Sequence, residues 1–277
     1  MRRWSFGGRV RQGKFSGTSV VFILIVSMFF GLAQAEEQDE SDGWKFVVLP
    51  YLWMLSLNGD VAVKGQKSHV DMSFGDILQN LNLAAMANLE VRKGRWGVFA
   101  NPLYAQLEDD VSSGDTNADV TINMFILEFG VNYRLGPYAL SSTAGAMFPS
   151  VTVRPFIGGR YTYLDGDLNV KGDGLPSYDG SQDWIDPMVG VHTQWDINRR
   201  WNVVLGGSVG GFGVSSHFAW TGLGLIGYKF NFSKSVAGNV LLGYRALYQN
   251  YDTGTGSNRF EWDTYMYGPI VGLSIGF

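Results

Sequence analysis

Residues 119–135 read DVTINMFILEFGVNYRL. Thr121, Asn123, Phe125, Leu127, Phe129, Val131, Tyr133 and Leu135 fall on one set of alternate positions, and the other set ends in Glu128, Gly130, Asn132 and Arg134. A period of two is the mark of a β-strand, because successive side chains leave the pleat on opposite sides. The same alternation returns in 184–195, where Ile185, Val189, Val191 and Trp195 oppose Asp186, Gly190 and His192. It returns again in 237–250, where Val240, Leu242, Tyr244 and Tyr248 oppose Asn239, Gly243, Arg245 and Gln249.

One face is lipid-compatible throughout, while the other mixes glycine with single charges. A soluble sandwich also alternates, but its second face meets water and tends toward Lys, Glu and Thr. Small residues broken by isolated charges suit the inside of a narrow barrel, where side chains meet across a lumen. The composition agrees: 37 Gly, 9 Trp, 13 Tyr and 18 Phe in 277 residues, with only 17% charged. Aromatics at strand ends, among them Trp44, Trp96, Tyr133, Trp195, Trp201, Tyr228, Tyr248, Tyr265 and Tyr267, fit two interfacial girdles, with aromatics outward and much of the glycine inward. The expected fold class is therefore all-β, a single transmembrane antiparallel β-barrel.

The absence of cysteine excludes disulfides and thiolate metal sites. With 21 basic against 25 acidic residues, nucleic-acid binding is not expected. Residues 1–19 carry Arg2, Arg3, Arg9, Arg11 and Lys14 and no acid, the apolar run Val20 to Leu32 follows, and Ala33-Gln34-Ala35 supplies a small-x-small cleavage signal. This reads as a signal peptide over 1–35, since about 13 apolar residues are too few to cross a bilayer roughly 30 Å thick as a helix. Removing its five cations from the formal charge of −4 leaves −9 on the mature chain. Residues 36–43 read as an acidic tail and 44–277 as the barrel.

At the C-terminus, Tyr265, Tyr267, Pro269, Val271, Leu273, Ile275 and Phe277 form one alternating face ending on an aromatic residue. This resembles the C-terminal signature of bacterial outer-membrane β-barrel proteins, here a small porin-like barrel. The resemblance implies a Gram-negative outer membrane, lipopolysaccharide and lipids as surroundings, and recognition of Phe277 by the barrel assembly machinery. Pro269 departs from an ideal strand, and a bulge is expected there.

Turn signals divide the chain into strands at 44–57, 60–70, 82–92, 95–107, 119–135, 151–165, 184–195, 201–212, 217–230, 237–251 and 259–276. Bacterial single-chain barrels have even strand numbers with both termini in the periplasm. Treating Asn58 to Leu81 as one extracellular excursion, with a hairpin turning at Asn58-Gly59-Asp60 and a helical piece at Asp76 to Asn80, leaves ten membrane strands, with twelve as the alternative. Loops 108–118, 166–183 and 252–258 then fall outside the cell.

Parity places Glu90, Glu128 and Asp186 in the lumen with Arg92, Arg134, Arg154, Arg160, His192 and Arg245. Such mixed charges either pair with one another or line water, because an isolated charge in low dielectric is costly. Two functions follow from this set. One is a small pore that admits a small solute through a charged lumen, and the other is a closed structural or adhesion barrel whose loops bind lipopolysaccharide, ions or a partner.

No enzyme and no cofactor are expected. Gly206-Gly207-Ser208-Val209-Gly210 matches GxSxG but lies within a strand, where it cannot form a nucleophile elbow. Ser215 and Ser216 beside His217 are the best catalytic candidates. Asp165-Gly166-Asp167-Leu168-Asn169 opens like a calcium loop but has Val170 where the EF-hand needs Gly and Pro176 where it needs Glu. No protein metal site is assigned, and acidic loops bridged to lipopolysaccharide by divalent ions remain a secondary expectation.

Overall fold

The computed structural model describes residues 43–113, 116–141, 148–171, 178–233 and 236–276. The expected signal peptide, residues 36–42 of the acidic tail and Phe277 lie outside the described residues. In chain order the elements are β1 (Trp44–Trp53), β2 (Ser56–Val63), β3 (Gln66–Met72), helix α1 (Phe74–Asn80), β4 (Leu81–Lys93), β5 (Trp96–Ser113) and β6 (Thr116–Tyr133). There follow β7 (Leu135–Ala139), β8 (Ser150–Lys171), β9 (Tyr178–Asp196), β10 (Trp201–Gly210), β11 (Phe218–Asn231), β12 (Ala237–Thr253) and β13 (Phe260–Gly276). No described helix is long and apolar enough to cross a membrane.

Ten strands form a closed antiparallel barrel in the order β1-β4-β5-β6-β8-β9-β10-β11-β12-β13, and β1 pairs back onto β13. Closure leaves none of these ten strands as an edge, so their backbone polar groups are paired along the ladders. The other three strands are additions: β7 pairs with the start of β8, and the β2–β3 hairpin continues from β1 along β13. Thus β13 is paired by β1 over Ile270–Gly276 and by β2 over Glu261–Tyr267.

The join between β1 and β2 lies at Met54–Leu55, opposite Gly268 and Pro269. Met54 N–H donates to the Pro269 carbonyl at 2.8 Å, but Pro269 has no N–H to return. The expected bulge at Pro269 is not found: the β12–β13 register runs unbroken through Tyr244 and Pro269, and the irregularity falls on the facing strand. Gly268 is required at this join, because a Cβ there would lie 2.0 Å from the Met54 carbonyl oxygen.

The excursion after β1 differs in detail from expectation. Its hairpin turns at Lys64–Gly65, both at positive φ (52° and 77°), whereas Asn58-Gly59 lies inside β2 paired with Tyr265 and Thr264. Gly59 admits the neighbouring strand rather than a turn, since a Cβ there would lie 2.1 Å from the Asp263 carbonyl oxygen. The short helix begins at Ser73, whose Oγ accepts from Asp76 N–H at 3.3 Å while Ser73 N–H donates to Asp76 Oδ2 at 2.9 Å. This reciprocal capping box satisfies two otherwise orphaned donors.

The segments expected as loops 108–118 and 166–183 are largely ladder. β5 and β6 stay paired out to Ser113 and Thr116, and β8 and β9 out to Leu168 and Tyr178. Beyond a membrane neither strand face needs to be apolar, so the alternating hydrophobic signal ends before the hydrogen bonds do.

The wall is apolar outside. Phe129, Val131, Ile157, Ile185, Val189, Leu205, Ile226, Val240 and Leu242 are all exposed on it. Trp44, Trp96, Trp195, Trp201 and Tyr228 ring the end where β1 begins and β13 ends, and Tyr265 and Tyr267 are exposed nearer the other end. The rule that aromatics look outward fails for a second set: Tyr51, Trp53, Trp184, Tyr251 and Trp262 are buried inside with Leu103, Ile126, Leu247 and Met266. A lumen framed by ten strands is too wide to be filled by glycine and aliphatics, and these rings occupy it.

Inward glycines let facing backbones approach. A Cβ on Gly158 would lie 1.9 Å from the Phe129 carbonyl oxygen and 2.8 Å from the Cα of Gly130. Gly158→Val should therefore prevent barrel closure. In a refolding assay into lipid vesicles the wild type is expected to show the heat-modifiable gel shift of a closed barrel and the variant to lose it; an unchanged shift would contradict this packing.

Candidate functional site

The interior is arranged in layers that can be followed along single strands. On β8 the inward positions run Arg154, Phe156, Gly158, Arg160 and Thr162; on β6 they run Asn132, Gly130, Glu128 and Ile126. Each strand thus contributes one residue to a terminal-end layer, one to an apolar step and one to a central charged layer.

Glu128 is the centre of the charged layer. Its Oε1 accepts from Arg160 Nε at 3.0 Å and Nη2 at 2.8 Å, and its Oε2 accepts from Arg245 Nη2 at 2.9 Å and Asn101 Nδ2 at 3.2 Å. Arg245 Nη1 also donates to Tyr51 Oη at 3.3 Å, and that hydroxyl donates to Asn101 Oδ1 at 2.8 Å. Arg160 Nη2 donates to Thr221 Oγ1, and the Arg245 guanidinium lies 4.8 Å from the centre of the Trp53 ring. Glu128, Arg160 and Arg245 are 8%, 1% and 5% exposed.

Asn101 and Arg160 stand on the two strands that flank β6, but Arg245 does not. In the barrel order β6 and β12 stand diametrically opposite, so the Glu128–Arg245 bond crosses the full lumen. Gln249 Nε2 of β12 donates to Thr162 Oγ1 of β8 at 3.0 Å one layer away. Further on, Trp184 of β9 stacks on Tyr251 of β12 with ring centres 4.3 Å apart.

Asp186 stands opposite Arg160 in the β8–β9 register but accepts instead from Ser216 N–H at 2.8 Å and Ser216 Oγ at 2.6 Å. It thereby fixes the short β10–β11 connection against the wall. Ser215 Oγ donates to the Ile185 carbonyl at 2.8 Å, and His217 Nε2 pairs with Asp252. Both serine hydroxyls are engaged away from His217, so the arrangement does not supply a serine activated by a neighbouring base.

The remaining lumen residues gather toward the end where β1 begins and β13 ends. Glu90 accepts from Asn132 Nδ2 at 2.8 Å and pairs with Arg92 Nε at 3.5 Å. His192 stacks on Phe156 with ring centres 4.8 Å apart and lies opposite Arg154 in register. Phe99, Phe156 and Met188 form a small apolar cluster between this group and the Glu128 layer.

Outside the barrel, the β2–β3 hairpin carries a charge network. Lys67 Nζ lies 3.1 Å from Asp60 and 2.9 Å from Glu261, His69 Nδ1 lies 2.9 Å from Asp60, and Arg259 lies 2.9 Å from Glu261. Hydrogen bonds from His69 and then Lys67 hold the Asp60 carboxyl below the ordinary carboxylate range. No group of three or more His, Cys, Asp or Glu that could hold a metal occurs among the described residues.

The sequence did not disclose Tyr51, Asn101, Trp53 or Thr221 as partners of the charged residues. Tyr51 and Trp53 alternate with the outward face of β1 and could have been read as inward by parity. Which residue meets which across a lumen is not encoded in parity.

Comparison with known proteins finds no matching family model and no matching curated protein. Among solved structures, the chain is similar to Ail, the attachment invasion locus protein of Yersinia pestis, in complex with the heparin analogue sucrose octasulfate, at 12% identity over 85% of this chain and 99% of that one, with a TM-score of 0.36. Neisserial surface protein A matches at 9% identity over 85% and 99%, TM-score 0.33. The outer membrane protein OprG from Pseudomonas aeruginosa matches at 12% identity over 88% and 97%, TM-score 0.31. These scores are low, and the barrel architecture described above rests on the chain's own strand ladders.

Removing the carboxylate of Glu128 would leave two guanidiniums buried without their counter-ion. Breaking one side of a buried charge pair costs about 3–5 kcal/mol. Glu128→Gln is expected to lower stability by that order in urea unfolding from lipid vesicles, whereas Thr221→Ala, which removes one neutral acceptor, should cost about 1–3 kcal/mol. Equal, small losses for both would contradict a central role for the carboxylate.

Proposed function

We propose that this chain is an outer-membrane β-barrel of a Gram-negative bacterium whose lumen is closed, and which acts through the surface it presents outside the cell. In this reading residues 1–35 direct export and are cleaved, the acidic residues 36–43 and both termini face the periplasm, and Phe277 serves barrel assembly. The apolar outer wall supports membrane insertion, because a soluble protein does not expose so extended an apolar belt.

The observation that carries the closed reading is the Glu128–Arg245 bond between opposite strands, made by side chains almost wholly buried. A water-filled constriction would leave these groups hydrated. Here the carboxylate takes its hydrogen bonds from protein, and apolar rings lie on either side of it. Of the two functions expected from the lumen charges, the geometry favours the structural or adhesion barrel over the pore.

The surface available for binding consists of the β2–β3 hairpin, helix α1 and the long β5–β6 and β8–β9 arms. The arms carry acidic residues, including Asp165 and Asp167 on β8. Divalent ions held between such carboxylates and the phosphates of lipopolysaccharide are the expected means of contact with the surrounding leaflet.

Purified protein in planar lipid bilayers should show no stepwise conductance at any salt concentration or voltage the membrane withstands. Reproducible unitary steps from the wild type would overturn the closed reading and restore the charged pore.

A further inference from the structure

Three arginines occupy neighbouring inward positions at the end of the lumen where β1 begins and β13 ends: Arg92 on β4, Arg134 where β6 ends, and Arg154 on β8. The strand between the first two contributes Gly97, which has no side chain to separate them. A Cβ at Gly97 would lie 3.1 Å from Arg92 Cγ and 2.6 Å from Asn132 Oδ1.

These cations are under-compensated. Glu90 is shared between Arg92 and Asn132, and Asp196 is already engaged by Lys229 Nζ at 2.7 Å and Gln194 Nε2 at 3.0 Å. Four fixed cations thus face two carboxylates. The Nε–H groups of Arg134 and Arg154 are buried without a hydrogen-bond partner, and that of Arg92 has only the Glu90 carboxylate 3.5 Å away. On another stretch of the wall Asn202, 1% exposed and inward on β10, has neither its amide nitrogen nor its amide oxygen bonded.

Unpaired buried donors on like-charged side chains are the opposite of what a finished salt-bridge network shows, and the central Glu128 layer of the same barrel shows how such a network looks when complete. Arginines that outnumber the carboxylates beside them suit an oxyanion, whose geometry their planar N–H groups fit. Phe99, Phe156 and Met188 form an apolar cluster between this group and the Glu128 layer.

We propose that this arginine group is a binding site for a phosphate-type oxyanion, either free inorganic phosphate or the phosphomonoester of a lipid headgroup. The site lies toward the end of the barrel where β1 begins and β13 ends, apart from the outer surface assigned to contact with lipopolysaccharide. It holds whether or not the lumen beyond it conducts.

The test is calorimetric titration of the refolded barrel in an uncharged detergent, with inorganic phosphate in one arm and glycerol phosphate in the other, each against chloride at equal ionic strength. Saturable binding of at least one phosphate compound, absent with chloride, is expected. Tighter binding of inorganic phosphate assigns the free ion, and tighter binding of glycerol phosphate assigns a headgroup. Arg154→Gln, and separately Arg92→Gln, should each weaken that binding at least tenfold while keeping the heat-modifiable shift of the folded barrel. No preference for phosphate over chloride in the wild type would overturn the proposal without recourse to any variant, as would unchanged affinity in both folded variants.

Discussion

A single carboxylate shared between two guanidiniums across the middle of a barrel sets the terms for the rest of this molecule. Glu128 reaches Arg160 on the next strand around the wall and Arg245 on the strand opposite, and the bond to Arg245 ties two halves of the cylinder together. Burying three charges is expensive, so the surrounding positions are committed to them. Asn101, Tyr51 and Thr221 supply the remaining hydrogen bonds, and Trp53 offers its ring face to Arg245. The layer toward Phe99, Phe156 and Met188 is apolar, and the layer on the other side sets buried Thr162 and Gln249 among apolar residues such as Ile126 and Leu247; this burial raises the strength of the pairing and the cost of breaking it together.

The outside of the barrel obeys a simpler constraint. Every strand of the wall needs an apolar residue at alternate positions for as long as it faces hydrocarbon, and no longer. That is why the membrane-spanning parts of β6, β9 and β12 were legible from sequence, and why the number of wall strands followed from the even-strand rule. The extent of β5, β6, β8 and β9 was not legible, because their outer arms keep pairing after the hydrophobic reason for alternation has ended. Asn58-Gly59 misled for a related reason. Asn-Gly is a strong hairpin signal when only local sequence is known, but Gly59 answers to the backbone of Asp263 on a strand some 200 residues away.

The candidate site was legible by residue and not by pairing. Parity identified the charged positions that face inward, since the pleat fixes the side of the sheet on which a side chain emerges. It gave no indication that Asp186 would turn to Ser216, or that the central layer would contain Tyr51. It also could not separate the satisfied charges from the unsatisfied ones. The distinction depends on what lies across the lumen, and there it separates a completed network around Glu128 from a cationic group around Arg154, with Asp186 in neither.

Because the chain has no cysteine of its own, a single introduced thiol reports lumen access without background. Thr162 lies fully buried in the layer beside the Glu128 network, with its hydroxyl accepting from Gln249. Thr162→Cys, refolded into lipid vesicles and exposed to a small charged methanethiosulfonate reagent, should remain unmodified over a time in which Ser68→Cys on the exposed hairpin reacts to completion. Comparable rates at the two positions would mean that water and ions reach the centre of the barrel, and would contradict the account of a lumen closed by side chains.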